Sequence, residues 1–171
     1  MRKVEVIPHD HQWQQMFELE AQEITKVLGE NLVAIHHMGS TAIPNIYAKP
    51  IIDLLGEVKD MDKVDRYNAQ IELLGYEAMG EFGIPDRRYF RKRNLEGIRT
   101  HHLHLFPVGS EQVNRHLAFR DYLIAHPQIA QQYSDLKRQL AREFPDNIEG
   151  YMDGKDGLIK EIDRKAAQQF F

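Results

Sequence analysis

The chain has 171 residues, enough to bury the core of one domain, and its 42% hydrophobic and 28% charged residues are typical of a globular protein. Its net charge of −4 argues against a general nucleic-acid binder, and the absence of cysteine excludes disulfides, thiolate metal sites and a cysteine nucleophile. The charged N-terminus and the lack of an apolar run of membrane-spanning length predict a cytoplasmic protein with no membrane partner.

The N-terminal part of the chain predicts two strands and one helix. Residues 3–7 alternate as in a short strand. Residues 10–29 have the spacing of an amphipathic helix, with Asp10 available as its cap and Gly29 at its end. The apolar residues that keep this spacing are Trp13, Met16, Phe17, Ala21, Ile24 and Leu28. Residues 32–37 are predicted to form the next strand.

The middle of the chain predicts further strands and one helix. A strand over 50–58 precedes a helix over 61–74, and a strand over 75–79 follows. The predicted inward positions of that helix are Val64, Ile71 and Leu74. Two more strands, 87–93 and 98–106, flank a turn that contains glycine, which indicates a hairpin.

The pattern changes to helices after Pro107. The predicted helices cover about 110–125, 127–143 and 148–169, with X-Pro steps between them. A sheet-forming part of about 1–107 followed by a helical part of about 108–171 predicts an α+β (mixed α/β) protein. Since no linker, internal repeat or low-complexity segment separates the parts, one domain over 1–171 is expected.

The stretch between two of the predicted strands carries residues that suit phosphate and metal chemistry. Gly39-Ser40-Thr41 offers a flexible backbone and hydroxyl groups for an anionic phosphate, although such a turn also serves as an ordinary helix cap. Lys49 either reaches a phosphate or stays solvated. Asp53 interrupts the apolar run 51–55, where a carboxylate needs a metal ion or an ion-pair partner. Together these residues predict a nucleotide-handling site.

A second dense signal is His101-His102-Leu103-His104-Leu105. On a strand, His102 and His104 point to one face and the two leucines to the other. Two imidazoles at this spacing can share a metal ion or act as acid–base groups near neutral pH. The alternative is a partly buried, hydrogen-bonded histidine pair without an ion.

The run Arg87-Arg88-Tyr89-Phe90-Arg91-Lys92-Arg93 is a local candidate for anion binding in an acidic protein. Strand alternation places Arg88 and Lys92 on one face and Arg87, Tyr89 and Arg91 on the other. We expect at least one of these sets to be solvated hairpin surface. RNA binding is not favoured, because no RNA-binding signature accompanies the run.

The helical part of the chain shows amphipathic patterns that indicate core helices. Residues 133–140 carry an apolar face with charged flanks, and Tyr151 and Lys155 lie four residues apart on the last helix. Either Tyr151 or Lys155 can lean over a cleft, but a structural role is the expectation for all of these residues.

Several motifs, in order along nearly the whole chain, closely resemble the GrpB family. The matching segments are His37-Met38-Gly39-Ser40-Thr41-Ala42-Ile43-Pro44, Ala48-Lys49-Pro50-Ile51-Ile52-Asp53, His102-Leu103-His104, Phe119-Arg120-Asp121-Tyr122-Leu123 and 133–140. The resemblance implies the nucleotidyltransferase-superfamily fold: a mixed sheet with flanking helices. That superfamily holds a nucleoside triphosphate with a Gly-Ser turn and binds metal ions with carboxylates on neighbouring strands.

Carried over to this sequence, the resemblance assigns Gly39 and Ser40 to the triphosphate and Asp53 to the metal. The second carboxylate of active superfamily members has no counterpart, because Leu55 occupies its position. Glu57 cannot replace it, since four strand residues span roughly 13 Å. His102 or His104 is expected in place of the third carboxylate, and an Asp-His-His set suits Mn²⁺, Zn²⁺ or Fe²⁺ better than Mg²⁺.

The resemblance also bears on the turn after Pro44, where Asn45 stands at a position expected to be glycine. Asn tolerates a left-handed backbone, so the turn is expected to persist.

The leading hypothesis is a metal-dependent nucleotidyltransferase that acts on a nucleoside triphosphate and an acceptor hydroxyl. Asp53, His102 and His104 would hold a divalent metal, with Mg²⁺ or Mn²⁺ expected and Zn²⁺ possible. The phosphates would be bound by Gly39, Ser40, Thr41, Lys49, Arg88 and Lys92. The alternatives are a non-catalytic protein that binds a nucleotide or phosphorylated metabolite, and a metal-dependent hydrolase that uses the Asp-His-His site. The sequence leaves the oligomeric state open.

Overall fold

A five-stranded mixed sheet and six α-helices make up the computed structural model, which describes residues 3–170. The chain divides into two units. The sheet unit comprises His11–Met38 and Ile51–Asn114. The helical unit comprises Met1–Asp10, Gly39–Pro50 and Arg115–Phe171. This architecture confirms the predicted mixed α/β class.

All five strands lie in the sheet unit. They are β1 (Leu32–Met38), β2 (Ile52–Val58), β3 (Tyr76–Ala78), β4 (Arg88–Arg93) and β5 (Arg99–Pro107). Their order across the sheet is β1-β2-β5-β4-β3. The central pair, β2 and β5, is parallel, and the other neighbours are antiparallel. The predicted hairpin is therefore confirmed as β4–β5.

Helix α1 (Gln12–Leu28) packs on β1 and β2 in the sheet unit. Its buried apolar residues follow the predicted period and are Trp13, Ala21, Ile24 and Leu28. Gly29 ends the helix with a φ of 55°, which a residue with a Cβ adopts rarely. Asp10 is not the cap, since the flanking residue is His11, whose side chain makes no capping hydrogen bond.

Two predictions differ from the structure. The predicted helix over 61–74 is two short helices, α2 (Met61–Arg66) and α3 (Asn68–Leu73), because the Tyr67 N–H donates to the Val64 carbonyl in a tight turn. The predicted strand over 3–7 is wrong. Only Ile7 forms an isolated bridge within residues 3–7, and its partner is Ala48.

Three long helices follow β5, close to their predicted bounds: α4 (Glu111–Ala125), α5 (Pro127–Glu143) and α6 (Ile148–Phe170). In the helical unit the segment Gly39–Pro50 contributes the buried side chains of Ile43 and Ile46 to the core. The other buried members of that cluster are Ala118, Tyr122, Leu123, Ala130, Tyr133, Ile162 and Ala166. Among the described residues, none of the helices is long and apolar enough to cross a bilayer.

Helices α5 and α6 approach each other closely at Gly154. A Cβ added to Gly154 would lie 2.4 Å from Leu140 Cδ2 and 3.0 Å from its Cδ1. Since Leu140 is buried, its side chain has little room to move. Gly157, one turn later on α6, has nothing within 4 Å of the equivalent position.

Alanine substitutions at these two glycines are expected to change the free energy of unfolding in opposite directions. Gly154→Ala is expected to lower the free energy of unfolding by about 1–2 kcal/mol, because overpacking against Leu140 outweighs the gain in helix propensity. Gly157→Ala is expected to raise it by about 0.5–1 kcal/mol, because only the propensity gain applies. Urea unfolding followed by circular dichroism measures both. Equal effects of the two substitutions would contradict the close packing of α5 on α6.

Candidate metal centre

The parallel pairing of β2 with β5 brings together the acidic and imidazole side chains singled out in the sequence. Asp53 pairs with His102, and Leu55 pairs with His104. Paired residues on adjacent strands project to the same face of a sheet, so Asp53, His102 and His104 share one face. The predicted face of the two histidines is thereby confirmed.

The distances within this trio suit a shared cation better than direct hydrogen bonds. Asp53 Oδ1 lies 3.6 Å from His102 Nδ1 and 3.4 Å from His104 Nε2. One ligand atom from each residue falls within 4.8 Å of the other two. Two ligand atoms that each lie about 2.1 Å from a metal ion are at most about 4.2 Å apart, so the two distances from Asp53 fit a small divalent cation, and the widest separation, 4.8 Å, would shorten on binding.

Two residues of β4 and the preceding loop complete the surroundings of His104. Tyr89 pairs with His104, and the two ring centroids are 5.1 Å apart. Arg87 Nη1 lies 3.4 Å from His104 Nδ1, while its other nitrogens donate to the carbonyls of Glu81 and Phe82. Burial lowers the pKa of Arg87, but an arginine remains a cation at neutral pH.

The Arg87 contact bears on the protonation of His104. A guanidinium only donates hydrogen bonds, so the contact favours the tautomer that carries its proton on Nε2, facing Asp53. Binding a metal ion through Nε2 requires that proton to leave or to move to Nδ1, and the Arg87 contact to loosen. The geometry therefore supports two chemistries, a metal centre and an Asp53–His104 acid–base pair.

The trio contains one carboxylate. Leu55, at the position of the second superfamily carboxylate, is fully buried beside His104. Glu57, two residues further along β2, lies 2.8 Å from His36 Nε2 on β1. The site thus has the ligands for one metal ion, and Glu57 belongs to a separate pair on the same face.

Arg88 and Lys92 were predicted to contact the phosphates, but they do not share a face of the sheet with Asp53. Strand alternation places both on the opposite face of the sheet from His102 and His104. Arg88 donates twice to Asp65, at 2.7 and 3.1 Å, and these hydrogen bonds lower the pKa of that carboxyl group.

Lys92 belongs to a buried network around Glu20 of α1. Its ammonium lies 3.0 Å from Glu20 Oε1, which also accepts a 2.8 Å hydrogen bond from the Tyr76 hydroxyl. His101 Nε2 lies 3.8 Å from the other oxygen of Glu20. Burial raises the pKa of Tyr76 and lowers that of His101. Lys92 is thus engaged in holding α1 against the sheet.

The Gly-Ser-Thr turn begins where β1 ends. Met38 is the register partner of Asp53, and Gly39 follows it with a φ of 74°. The Ala42 N–H donates to the Gly39 carbonyl at 3.1 Å, which closes the turn, and Thr41 is buried. In the same segment of the helical unit Asn45 has a φ of 66°, as predicted for a residue replacing glycine.

Lys49 lies at the other end of that segment. Its ammonium sits over the ring of Tyr151, 4.6 Å from the centroid, within the helical unit.

The predicted site did not include Arg87 and Tyr89, although the length of the hairpin turn bears on which face of the sheet they occupy. A four-residue turn at 94–97 opposes odd-numbered residues of β4 to even-numbered residues of β5. That parity places Arg87 and Tyr89, rather than Arg88 and Lys92, on the face of His102. In the structure Arg93 opposes Arg99 next to the turn, and the bulge between Lys92 and Arg93 restores the odd-to-even pairing seen at Tyr89 and His104.

Comparisons with known proteins agree on one family. The family model described as GrpB protein matches residues 3–165. UPF0157 protein YqkA of Bacillus subtilis (strain 168) is 47% identical over 96% of this chain, which spans 48% of that protein. Glutamate-rich protein GrpB of Alkalihalophilus pseudofirmus is 33% identical over 94% of each chain. The crystal structure of a GrpB protein from Enterococcus faecalis aligns with a TM-score of 0.93 and 44% identity, covering 97% of this chain and 99% of that one.

The chain spans about half the length of the Bacillus subtilis relative. Its match to the family model, in contrast, extends over nearly all of its own residues. The predicted resemblance is therefore confirmed, and the chain belongs to the GrpB family.

Proposed function

We propose that this protein is a metal-dependent nucleotidyltransferase that holds one divalent ion with Asp53, His102 and His104. The observation that supports the proposal is the convergence of three ligand atoms to within 4.8 Å on one face of the sheet. Two imidazoles and one carboxylate favour Mn²⁺, Zn²⁺ or Fe²⁺ over Mg²⁺, which prefers oxygen ligands. The proposed substrates are a nucleoside triphosphate and an acceptor that carries a hydroxyl group.

A bound divalent ion would act at this site as a Lewis acid toward phosphate oxygens. Arg87 supplies a buried positive charge 3.4 Å from His104, suited to the negative charge of a phosphate. Gly39, Ser40, Thr41 and Lys49 remain the proposed contacts of the triphosphate.

Hydrolysis of a phosphate ester is the second candidate, favoured by the buried Leu55. Two metal ions across a triphosphate need several oxygen ligands, and leucine offers none where the second carboxylate would lie. A single ion with three protein ligands and an open position is typical of hydrolytic sites that activate water. In that reaction no acceptor other than water is required.

The metal centre makes a direct prediction. Isothermal titration calorimetry with Mn²⁺ or Zn²⁺ should show one ion per chain. Each of the variants Asp53→Ala, His102→Ala and His104→Ala removes a metal ligand. Loss of a hydrogen bond that merely supports a ligand weakens metal binding roughly 10–100-fold, so each of these variants should weaken it by more than that.

A control for this titration is His36→Ala, which removes a histidine from the same face of the same sheet. His36 lies 2.8 Å from a carboxylate of Glu57, so it resembles the trio in chemistry but lies outside it. Metal affinity should be unchanged in this variant. A metal site that survives Asp53→Ala, or that is lost equally in His36→Ala, contradicts the assignment.

The products formed from a nucleoside triphosphate distinguish the two reactions. With Mn²⁺, nucleotidyl transfer releases pyrophosphate only when a hydroxyl-bearing acceptor is present, whereas hydrolysis proceeds without any acceptor and releases orthophosphate or pyrophosphate according to the bond that breaks. We expect acceptor-dependent pyrophosphate release, absent in Asp53→Ala and retained in His36→Ala. Metal-dependent triphosphate binding without either product would instead support a non-catalytic nucleotide-binding protein.

A further inference from the structure

Two helices of the helical unit carry the same pattern, a tyrosine followed four residues later by a lysine. Tyr133 and Lys137 lie on α5, and Tyr151 and Lys155 lie on α6. Residues at this spacing share one face of a helix. Because α5 packs on α6, the two pairs come close to each other.

The ammonium groups of three lysines gather on the two tyrosine rings. Lys137 Nζ lies 4.4 Å from the ring centroid of Tyr133. Lys49 Nζ and Lys155 Nζ lie 4.6 and 4.8 Å from the ring centroid of Tyr151. Lys49 and Lys155 place positive charge beside the Lys137 amine, and each of the three groups contacts an aromatic face.

The inner part of this cluster holds polar atoms that lack hydrogen bonds. Lys137 is 2% exposed and Tyr151 is 0% exposed. Within residues 3–170, neither Lys137 Nζ nor the Tyr151 hydroxyl has a hydrogen-bond partner. Buried polar groups are nearly always satisfied, so a buried ammonium and a buried hydroxyl without partners indicate that a ligand supplies the missing contacts.

We propose that Lys49, Lys137, Lys155 and Tyr151 form a binding site for a phosphate group, here called the lysine site. Its ligand is a compact oxyanion with two negative charges, either inorganic phosphate or the phosphate of a larger molecule. Lysines bind phosphate as point charges, and the Tyr151 hydroxyl can donate to a phosphate oxygen. A phosphate dianion offers several acceptor oxygens to these donors and favours the charged form of Lys137 more than a single carboxylate does.

The lysine site goes beyond the proposed metal chemistry: it shares Lys49 with the proposed triphosphate contacts but includes none of the proposed metal ligands. Its four residues all belong to the helical unit, whereas Asp53, His102 and His104 belong to the sheet unit. Phosphate binding at the lysine site therefore requires no metal ion.

The protonation of Lys137 is coupled to this binding. Burial and the positive charges of Lys155 and Lys49 lower the pKa of Lys137 to about 6, and the remaining contact on its own helix is the ring of Tyr133. Without an anion the amine is thus mainly neutral at pH 7.5. An oxyanion favours the charged form and raises the pKa, so binding at pH 7.5 takes up a proton.

The first test is a calorimetric titration of the whole protein with inorganic phosphate in the presence of EDTA. Lys137→Met should weaken binding at least about tenfold, because it removes a charge-assisted hydrogen bond while an unbranched apolar side chain keeps the buried volume filled. Lys49→Met and Lys155→Met should weaken binding in the same direction.

The matched control is Lys160→Met. Lys160 lies on α6 like Lys155, but it is exposed and pairs with Asp156 at 2.9 Å. Phosphate affinity should be unchanged in this variant. No phosphate binding by the wild type, unchanged binding by Lys137→Met, or equal losses in Lys137→Met and Lys160→Met would overturn the proposal.

The second test measures protons. Sulfate is a dianion that does not titrate near neutral pH, so sulfate titrations in two buffers of different ionisation enthalpy report the protein's own proton uptake. We expect uptake of up to one proton at pH 7.5 in the wild type and none in Lys137→Met. Binding without proton uptake in the wild type would overturn the role of Lys137.

Two further titrations separate the sources of the phosphate and the two sites. The first is a competition between a nucleoside triphosphate and inorganic phosphate in the presence of EDTA. If the triphosphate binds the lysine site more tightly than inorganic phosphate does, the site binds the phosphate of a larger molecule. If it binds more weakly, free phosphate is the ligand. Asp53→Ala should bind phosphate like the wild type. This result keeps the lysine site distinct from any failure of the metal centre.

Discussion

The parallel register of β2 on β5 is the constraint on which the candidate metal centre depends. It sets Asp53 against His102 and the buried Leu55 against His104. Side chains alternate along a strand, so a slip of one residue would turn Asp53 to the opposite face. Gly56 helps to hold this register, because a Cβ there would lie 2.5 Å from Leu105 Cδ2. The absence of a side chain at Gly56 lets β5 place its leucines against β2.

The carboxylates on the two faces of the sheet have different kinds of contact. On the face of α1, Glu20 accepts from both Lys92 and Tyr76, so the carboxylate and the ammonium neutralise each other within one network. On the other face, Asp53 lies beside two imidazoles at distances too long for good hydrogen bonds. The first arrangement joins α1 to the sheet, whereas the second gathers the three ligand atoms on which the proposed metal centre rests.

The sequence was sufficient for the long elements, because they follow from periodicity, whereas the grouping of Asp53 with His102 and His104 rested on the resemblance to the GrpB family. α1, α4, α5 and α6 carry patterns over many turns, and alternation alone places His102 and His104 on one face. The break at Tyr67 depends on a single turn that no period reports. Arg87, rather than Arg88, lies on the face of the histidines because a bulge between Lys92 and Arg93 shifts the hairpin register, and strand alternation does not predict that bulge.

A comparison of Lys92 with Lys137 shows why the lysine site was not predicted and why it differs from structural ion pairs. Lys137 lies in a pattern that indicates an ordinary charged flank, whereas Lys92 lies in the basic run expected at the phosphates. Lys92 meets Glu20 at 3.0 Å, and a carboxylate at that distance favours the charged ammonium. Lys137 instead faces the ring of Tyr133 and the charges of Lys49 and Lys155, and its Nζ makes no hydrogen bond within residues 3–170. Periodicity reports that a side chain is buried, but only the fold determines which charges surround it. A buried amine among cations is neutral until an anion arrives, which makes Lys137 responsive to ligand in a way that Lys92 is not.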